Sequence, residues 1–459
     1  MPLRSRHGLA LLLALLALPA AAQENGPLHA GPMLGPVTPR DAVVWVQTDA
    51  PAEVQLRYYV EETADGTTPR VRPLTTAPIQ TTPDGDHVAL FRVADLEPGW
   101  TYGYQVLVDG EEVVLPYPTA FTTQPLWQWR TDPPAFTLAL GSCYYANDPP
   151  YDRPGTPYGG SPAIFETIAD LDPDLMLWLG DNVYLREVDW WSPAGIAYRY
   201  RHARAEPALQ RLLATAHHYA TWDDHDFGPN DSDRSYVLKG VTLEAFARYW
   251  PNPTHGIPGV PGVFTHFQFA DAEFFLLDDR YHRTPNRAPA EPPHTILGEA
   301  QLQWLLDALS ASRAPFKFVA MGGQVISPVA VFENYASVAP EERAFLLAEI
   351  ERRGIEGVVF LSGDRHHSEL MRLDRPDAYP LYEFTSSPLT AGVRAAPFEA
   401  DNPIRVDGTL VAGQRSFGTI TVEGPRTERV LTLRAHDPDG AVLWERRVEA
   451  AELRAPREE

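Results

Sequence analysis

The sequence predicts an α/β fold preceded by an all-β segment, and two changes of pattern along the chain support this prediction. From residue 26 to about 128, apolar and polar residues alternate with a period of two, which is typical of half-buried strands. After the Pro-rich stretch 122–134, short apolar runs that end in polar residues alternate with helical stretches. Such alternation is typical of layered α/β folds. Alternating strands return near the C-terminus and are expected to complete a sheet.

The first 22 residues have the pattern of a secretory signal peptide. Arg4 and Arg6 precede the apolar run 9–18, and three alanines at 20–22 supply a small-residue cleavage site. The apolar run is too short to span a bilayer as a helix. We therefore expect cleavage near Ala22 and a secreted or periplasmic protein without a transmembrane anchor.

The charge of the chain limits its partners. The formal net charge is −23 at pH 7. Nucleic acids and anionic membranes are bound through basic patches, so neither is expected as the main partner. We expect a monomer with no specific nucleic-acid binding.

Residues 26–128 predict a β-sandwich. Strand-like runs such as "DAVVWVQTDA" (41–50) are separated by turn sequences such as "TPDGD" (82–86). The stretch "LEPGWTYGYQVLV" (96–108) puts a Leu-x-Pro corner before a Tyr-bearing strand, and it resembles immunoglobulin-like and fibronectin type III sandwiches. His, Cys and Asp do not cluster in a catalytic spacing in this segment. We interpret it as a binding or positioning module, with a spacer as the alternative.

Residues 134–450 predict the α/β domain, and potential metal ligands follow its strands. In open α/β sheets, catalytic and ligand-binding residues lie at the carboxyl ends of the strands. One Asp or His after a strand is ordinarily a turn or surface residue, but a set from four strand ends predicts a common site. The residues that follow the apolar runs are Cys143, Asp181, Tyr184, Asp223, Asp224, His225, Asp226, Gln324, Asp364 and His366.

Cys143 is the only cysteine in the chain. A single thiol cannot form an internal disulfide. From the residues alone it is a buried packing residue, an intermolecular link, a nucleophile or a metal ligand, and these alternatives stay open.

Five motifs, in order along the chain, resemble those of one family. They are "GSC", "GDNVY", "WDDHDFG", "LDDRYHR" and "SGDRHH". Together they resemble the PhoD-like alkaline phosphatases (alkaline phosphatase D family), a variant branch of the calcineurin-like metallophosphoesterases. Members of that family carry an immunoglobulin-like domain before the phosphatase domain, as 26–128 suggests here. The resemblance implies a four-layer α/β/β/α metallophosphoesterase domain over 134–450.

The resemblance also implies a dinuclear metal site. One metal would be bound by Cys143, Asp181, Tyr184 and His366, and the other by Asp181, Asp224 and Asp364. Thiolate, phenolate, carboxylate and imidazole together favour an ion such as Fe³⁺. The second set contains only oxygen, which favours Ca²⁺; Mn²⁺, Mg²⁺ and Zn²⁺ are the alternatives. On this interpretation the lone cysteine is a metal ligand.

Two residues are predicted to act on the substrate directly. His225 lies between Asp224 and Asp226, so we predict a raised pKa and a role in protonating the leaving alkoxide or stabilising its charge, with a structural hydrogen bond as the alternative. Arg280 either binds phosphate through two hydrogen bonds or pairs with a neighbouring aspartate. The role of Gln324, which stands where the superfamily has a metal-binding His, is left open.

The predicted function is that of an exported phosphoric ester hydrolase that acts through metal-activated water on small phosphate monoesters or diesters. The first alternative is a phosphodiesterase, including phospholipase D-like activity on phospholipids or polymeric phosphodiesters at the same site. The second is a non-catalytic surface-binding protein, which the intact ligand set disfavours. A G-x-S-x-G motif, expected of a serine esterase, is absent from the sequence.

Overall fold

The computed structural model describes residues 26–399 and 401–455. The predicted signal peptide lies outside the described residues. The strands of the N-terminal segment are β1 (Leu28–Val37), β2 (Ala42–Thr48), β3 (Glu53–Glu62), β4 (Leu74–Thr75), β5 (Ile79–Gln80), β6 (Val88–Val93), β7 (Thr101–Val108), β8 (Glu111–Glu112) and β9 (Ala120–Thr122).

The remaining elements alternate between strands and helices, as the sequence pattern predicts. In chain order they are β10 (Phe136–Gly141), α1 (Ile164–Asp170), β11 (Leu175–Leu179), α2 (Pro193–Arg204), α3 (Gln210–Thr215), β12 (His217–Thr221), α4 (Asp224–Phe227), α5 (Lys239–Tyr249), β13 (Thr265–Phe269), β14 (Ala272–Leu276), α6 (Glu299–Ala311), β15 (Phe316–Met321), α7 (Tyr335–Val338), α8 (Pro340–Arg352), β16 (Val358–Ser362), β17 (Glu369–Arg375), β18 (Ala378–Thr385), β19 (Phe417–Glu423), β20 (Val430–His436) and β21 (Val442–Glu449). The predicted mixed α/β fold is confirmed.

Two large sheets carry the α/β part of the chain. The first has the strand order β21-β20-β19-β10-β11-β12-β1-β2-β6, and the second has the order β13-β14-β15-β16-β18-β17. Strands β10, β11 and β12 run parallel in the first sheet, and β14, β15, β16 and β18 run parallel in the second. Each sheet therefore presents a row of carboxyl ends along one edge.

Side-chain alternation along the parallel strands explains how the sheets pack. Leu138 and Leu177 lie in the same buried cluster as Phe318 and Leu361 of the second sheet. Their neighbour Trp178 lies in a second cluster, with residues of helices α1, α2, α3 and α5. Successive side chains of a strand point to opposite faces, so one face of the first sheet packs against the second sheet and the other against helices. Helices α6 and α8 contribute to the cluster of the second sheet.

The N-terminal strands are joined to the first sheet. Strands β1, β2 and β6 share a buried cluster with β3 and β7, which belong to a smaller sheet. Leu34 of β1 pairs in parallel with His217 of β12, so the first sheet continues from the N-terminal segment into the α/β part. The sequence pattern did not predict this continuity. None of the helices in the described part of the chain is long and apolar enough to cross a membrane.

Candidate metal centre and active site

The predicted ligands lie at the carboxyl ends of strands from both sheets. Cys143, Asp181 and Asp224 follow β10, β11 and β12 of the first sheet, and Asp364 and His366 follow β16 of the second. The packed sheets present these ends at one edge, which brings residues that are 221 positions apart into contact: Cys143 Sγ lies 3.8 Å from the backbone oxygen of Asp364.

The four residues predicted for the first metal lie together. Cys143 Sγ is 3.5 Å from Asp181 Oδ2. The Tyr184 hydroxyl is 3.1 Å from the same oxygen and 3.4 Å from Nε2 of His366. One potential ligand atom from each of Cys143, Asp181 and His366 lies within 4.8 Å of the other two, and all four side chains are buried.

The residues predicted for the second metal each lie near Asp181. Ligand atoms of Asp181, Asp224 and His225 are within 4.8 Å of one another, and so are those of Asp181, Asp223 and Asp364. Asp181 is thus common to three groups, as expected of a carboxylate shared by two metals. Asp223, which the sequence analysis did not assign as a ligand, belongs to the third group.

The backbone at four of the predicted ligands is unusual. Cys143, Asp181, Asp364 and His366 have φ values of 59°, 52°, 60° and 55°, in the left-handed region. Residues other than glycine seldom adopt this conformation, which costs about 1–3 kcal/mol each and persists where the surrounding structure imposes it. Gly180 has a φ of 90°, and a Cβ there would lie 2.7 Å from Cβ of Asp223. These sharp turns set the direction of the chain as it leaves each strand.

The electrostatics of the cluster fit bound cations. Burial, followed by the charge of Asp224, raises the pKa of Asp181 well above its ordinary value. Burial and then the charge of Asp364 raise the pKa of the Cys143 thiol. Oδ2 of Asp223 and Nδ1 of His225 are buried, and neither has a hydrogen-bond partner among the described residues. Buried carboxylates are stabilised by opposite charge or by metal coordination, so this donor set is suited to metal ions.

The prediction of a raised pKa for His225 is wrong. Burial lowers the pKa of this imidazole, and the neighbouring charge of Asp224 does not outweigh it. The imidazole is therefore neutral near pH 7. Its ring packs on Tyr184 with ring centroids 4.1 Å apart, and its backbone N–H donates to Asp181 Oδ1 at 3.2 Å.

Arg280 is buried away from the cavities, which does not fit a phosphate contact. Its guanidinium binds Asp223 and donates to Glu333 Oε1 at 2.7 Å, while Asp279 Oδ1 lies 3.7 Å away. Only 1% of the side chain is exposed, and it lines neither of the two cavities at the site. The Asp278 carboxylate accepts a hydrogen bond from the backbone N–H of Arg280, not from its guanidinium. We interpret Arg280 as a positioning residue that holds Asp223.

Replacing Arg280 tests this interpretation. Arg280→Met leaves the buried Asp223 without its cationic partner and leaves Glu333 with Arg283 alone, so we expect the free energy of unfolding to fall by about 3–5 kcal/mol. Urea denaturation followed by circular dichroism measures the change, and Arg313→Met, at an exposed arginine, is the control. A variant of unchanged stability that shows only a raised KM for phosphate esters would restore the phosphate-binding role.

Several residues at the site had no predicted role. The Ser387 hydroxyl donates to Cys143 Sγ at 3.2 Å and accepts the backbone N–H of His366 at 3.0 Å. Asp231 and Glu333 form another acidic group with Asp224. The further acidic residues that follow "WDDHD" in the sequence could have indicated Asp231 as a site residue. No sequence motif indicated Ser387 or Glu333.

Gln324 lies beside the site rather than in it. Its amide nitrogen donates to Glu369 Oε1 and to Thr385 Oγ1, each at 3.0 Å. His367 Nε2 lies 3.4 Å from the same carboxylate oxygen of Glu369. Gln324 and His367 therefore both contact Glu369, next to the predicted ligand His366.

Two cavities meet at the cluster. One, of about 460 Å³, is lined by residues that include Asp181, Asp224, Asp364 and His366. The other, of about 600 Å³, extends toward the loop that contains Trp190. The residues that line both are Tyr158, His225, Asn230 and Arg394.

Comparison with family models matches this region. The model of the PhoD-like phosphatases matches residues 142–415, more than half of the chain. The chain belongs to the PhoD-like phosphatase family. A second model, of a domain of unknown function, matches residues 25–126.

Relatives and solved structures agree with that assignment. Alkaline phosphatase D of Bacillus subtilis (strain 168) is 25% identical over 367 residues, and the alignment spans 66% of this chain but only 61% of that relative. A structure of PhoD matches with a TM-score of 0.72 at 18% identity, covering 94% of this chain and 93% of the other. Purple acid phosphatase PPD1 from yellow lupin (Lupinus luteus) seeds matches with a TM-score of 0.62 at 12% identity, covering 91% and 74%. The two structural matches establish similarity of fold.

Proposed function

We propose that the protein is an exported, metal-dependent phosphoesterase that hydrolyses phosphate esters at a dinuclear site. The observation that carries the proposal is the position of Asp181, whose carboxylate lies within 4.8 Å of ligand atoms in three separate groups. Membership of the PhoD-like phosphatase family supports the same activity.

We propose that Cys143, Asp181, Tyr184 and His366 hold one metal, and that Asp181, Asp224 and Asp364 hold the other. The donor types favour Fe³⁺ in the first position and Ca²⁺ in the second. Bound metals supply Lewis-acid activation of the phosphoryl group and of the attacking water.

His225 is proposed to assist the leaving group. Its neutral ring retains one N–H, and the residue lines both cavities. A neutral imidazole can donate a hydrogen bond to a developing oxyanion. His225 then stabilises the negative charge on the alcohol oxygen as its bond to phosphorus breaks.

The architecture is proposed to match that of the family. The helix, sheet, sheet and helix layers over 134–450 correspond to the α/β/β/α arrangement, and residues 26–128 correspond to the immunoglobulin-like domain. The shared cluster of β1, β2, β6, β3 and β7 supports a sandwich. We propose that the N-terminal sandwich positions the site, because the pairing of Leu34 with His217 connects it to strand β12.

Phosphodiester hydrolysis is a second candidate. The cavity of about 600 Å³ beside the cluster has room for an organic group. A diester carries two such groups, whereas a monoester carries one.

Metal analysis combined with turnover tests the proposed function. We expect about two metals per purified chain, with hydrolysis of an aryl phosphate monoester that is lost on chelation and restored by adding metal. Comparing the monoester with a bis-aryl diester under the same conditions decides between the two candidates. A metal-replete protein that hydrolyses neither ester would contradict the proposal.

Cys143 gives the first metal a spectroscopic test. Cys143→Ser should remove the thiolate charge-transfer band in the visible spectrum and reduce iron content, because a neutral hydroxyl replaces an anionic thiolate ligand. Tyr184→Phe should remove the phenolate charge-transfer band and leave the thiolate band in place. Full metal content and activity in Cys143→Ser would show that the thiol is only a packing residue.

A further inference from the structure

The second cavity is built differently from the metal-cluster cavity. It measures about 600 Å³, and its aromatic lining residues are Tyr145, Tyr158, Tyr184 and Trp190. Tyr145 contacts Tyr158 and Tyr184 with ring centroids 4.9 and 5.1 Å apart. Small-molecule sites have volumes of about 300–1,000 Å³, so this cavity is large enough for a ring-sized organic group that packs against its aromatic side.

The arginines near the two cavities differ in their partners. Arg186 is bound by Asp152 Oδ1 at 2.9 Å, and Arg153 by Glu187 at 3.1 Å. Arg365 of the first cavity is bound by Glu399 at 3.1 Å. These three charges are compensated within the protein.

Arg394 differs from these three arginines. Its guanidinium has no hydrogen-bond or ion-pair partner among residues 26–399 and 401–455, and the residue is exposed. It lines both cavities, between the acidic cluster and the aromatic walls. A cation in this position is available to an anionic ligand.

The backbone that leads to Arg394 is hydrogen-bonded to the loop that contains Cys143. The N–H of Leu389 donates to the Ser142 carbonyl at 2.8 Å, and the N–H of Ala391 donates to the Cys143 carbonyl at 3.0 Å. The Gly392 carbonyl is bound by Nδ1 of His366. The segment is therefore tied to two of the proposed ligands immediately before it reaches Arg394.

We propose that the second cavity is the subsite for the alcohol part of the ester and that Arg394 binds the phosphoryl oxygens at its entrance. The proposal rests on the proposed phosphoesterase function and adds a substrate class to it, namely phosphate esters of aromatic or other flat, ring-shaped alcohols. Guanidinium groups bind phosphate through paired hydrogen bonds, and aromatic walls pack against rings.

Inorganic phosphate is the probe for Arg394. Hydrogen bonds between charged groups are stronger than those between neutral groups, so Arg394→Gln should raise the inhibition constant of phosphate by about 10-fold or more. Arg394→Lys should recover part of the loss, because lysine keeps the charge but not the paired geometry. Arg313→Gln, which removes an exposed arginine from the opposite end of β15, is the control. An unchanged inhibition constant in Arg394→Gln with full metal content overturns the assignment.

Trp190 tests the subsite itself. The ratio of kcat/KM for 1-naphthyl phosphate to that for methyl phosphate should fall about 3–10-fold in Trp190→Leu relative to the unmodified protein, because aromatic contacts act only on the naphthyl ring. An equal loss for both esters would overturn the subsite. If the unmodified protein hydrolyses neither ester, the proposed function fails, and calorimetric binding of phosphate to the metal-loaded Arg394→Gln protein still tests the arginine.

Discussion

Asp181→Asn is expected to lower kcat/KM for an aryl phosphate by about 10³-fold or more and to deplete both metals. The carboxylate of Asp181 lies in three groups of potential ligands, so its replacement by a neutral amide weakens both metal positions. Metal ions contribute several kcal/mol of transition-state stabilisation, and each 1.4 kcal/mol is a factor of ten in rate.

The matched control for this variant is Asp172→Asn. Asp172 is exposed in the turn before β11 and also has a positive φ, of 49°. It should keep full metal content and rate, measured by elemental analysis and steady-state kinetics. Retention of both metals and of activity in Asp181→Asn would contradict a shared carboxylate.

His225→Ala is expected to reduce turnover by about 10²–10³-fold, the usual cost of removing one hydrogen-bond donor to a developing oxyanion. Both metals should remain bound, because the proposed ligand set does not include the imidazole. The loss should be larger for an alkyl phosphate than for an activated aryl phosphate, since a good leaving group needs little stabilisation.

Rates for the two esters, together with metal stoichiometry, separate the possible roles of His225. One ring nitrogen of His225 lies within 4.8 Å of a carboxylate oxygen of Asp181 and of Asp224. A metal-binding role for His225 is therefore the alternative, and it predicts a loss of metal. Equal losses for both esters with depleted metal would identify His225 as a ligand and contradict the leaving-group role. His266→Ala, at a partly exposed histidine paired with Glu273, is the control.

The site residues that directly follow strands were predictable from the sequence. Cys143, Asp181, Asp224 and Asp364 each follow a short apolar run, and parallel strands bring such positions to one edge. The mixed α/β fold was predictable for the same reason, because periodicity records which faces of a strand or helix are buried.

The other features of the fold and site depend on contacts between residues that are distant in the chain, which the local sequence pattern does not indicate. The continuity of the first sheet rests on the pairing of Leu34 with His217, which are far apart in the chain. Arg280 pairs with Glu333, 53 residues away, rather than contacting a cavity. The pKa of His225 is set by burial, which the flanking acids in the sequence did not indicate.

Anomalous X-ray scattering from crystals of the purified, metal-replete protein tests the central claim most directly. Data collected above and below the iron absorption edge should show two peaks within coordination distance of the Asp181 carboxylate. The peak beside Cys143, Tyr184 and His366 should change across the edge, while the peak beside Asp224 and Asp364 should not. A single peak, or metal bound away from Asp181, would contradict the dinuclear site.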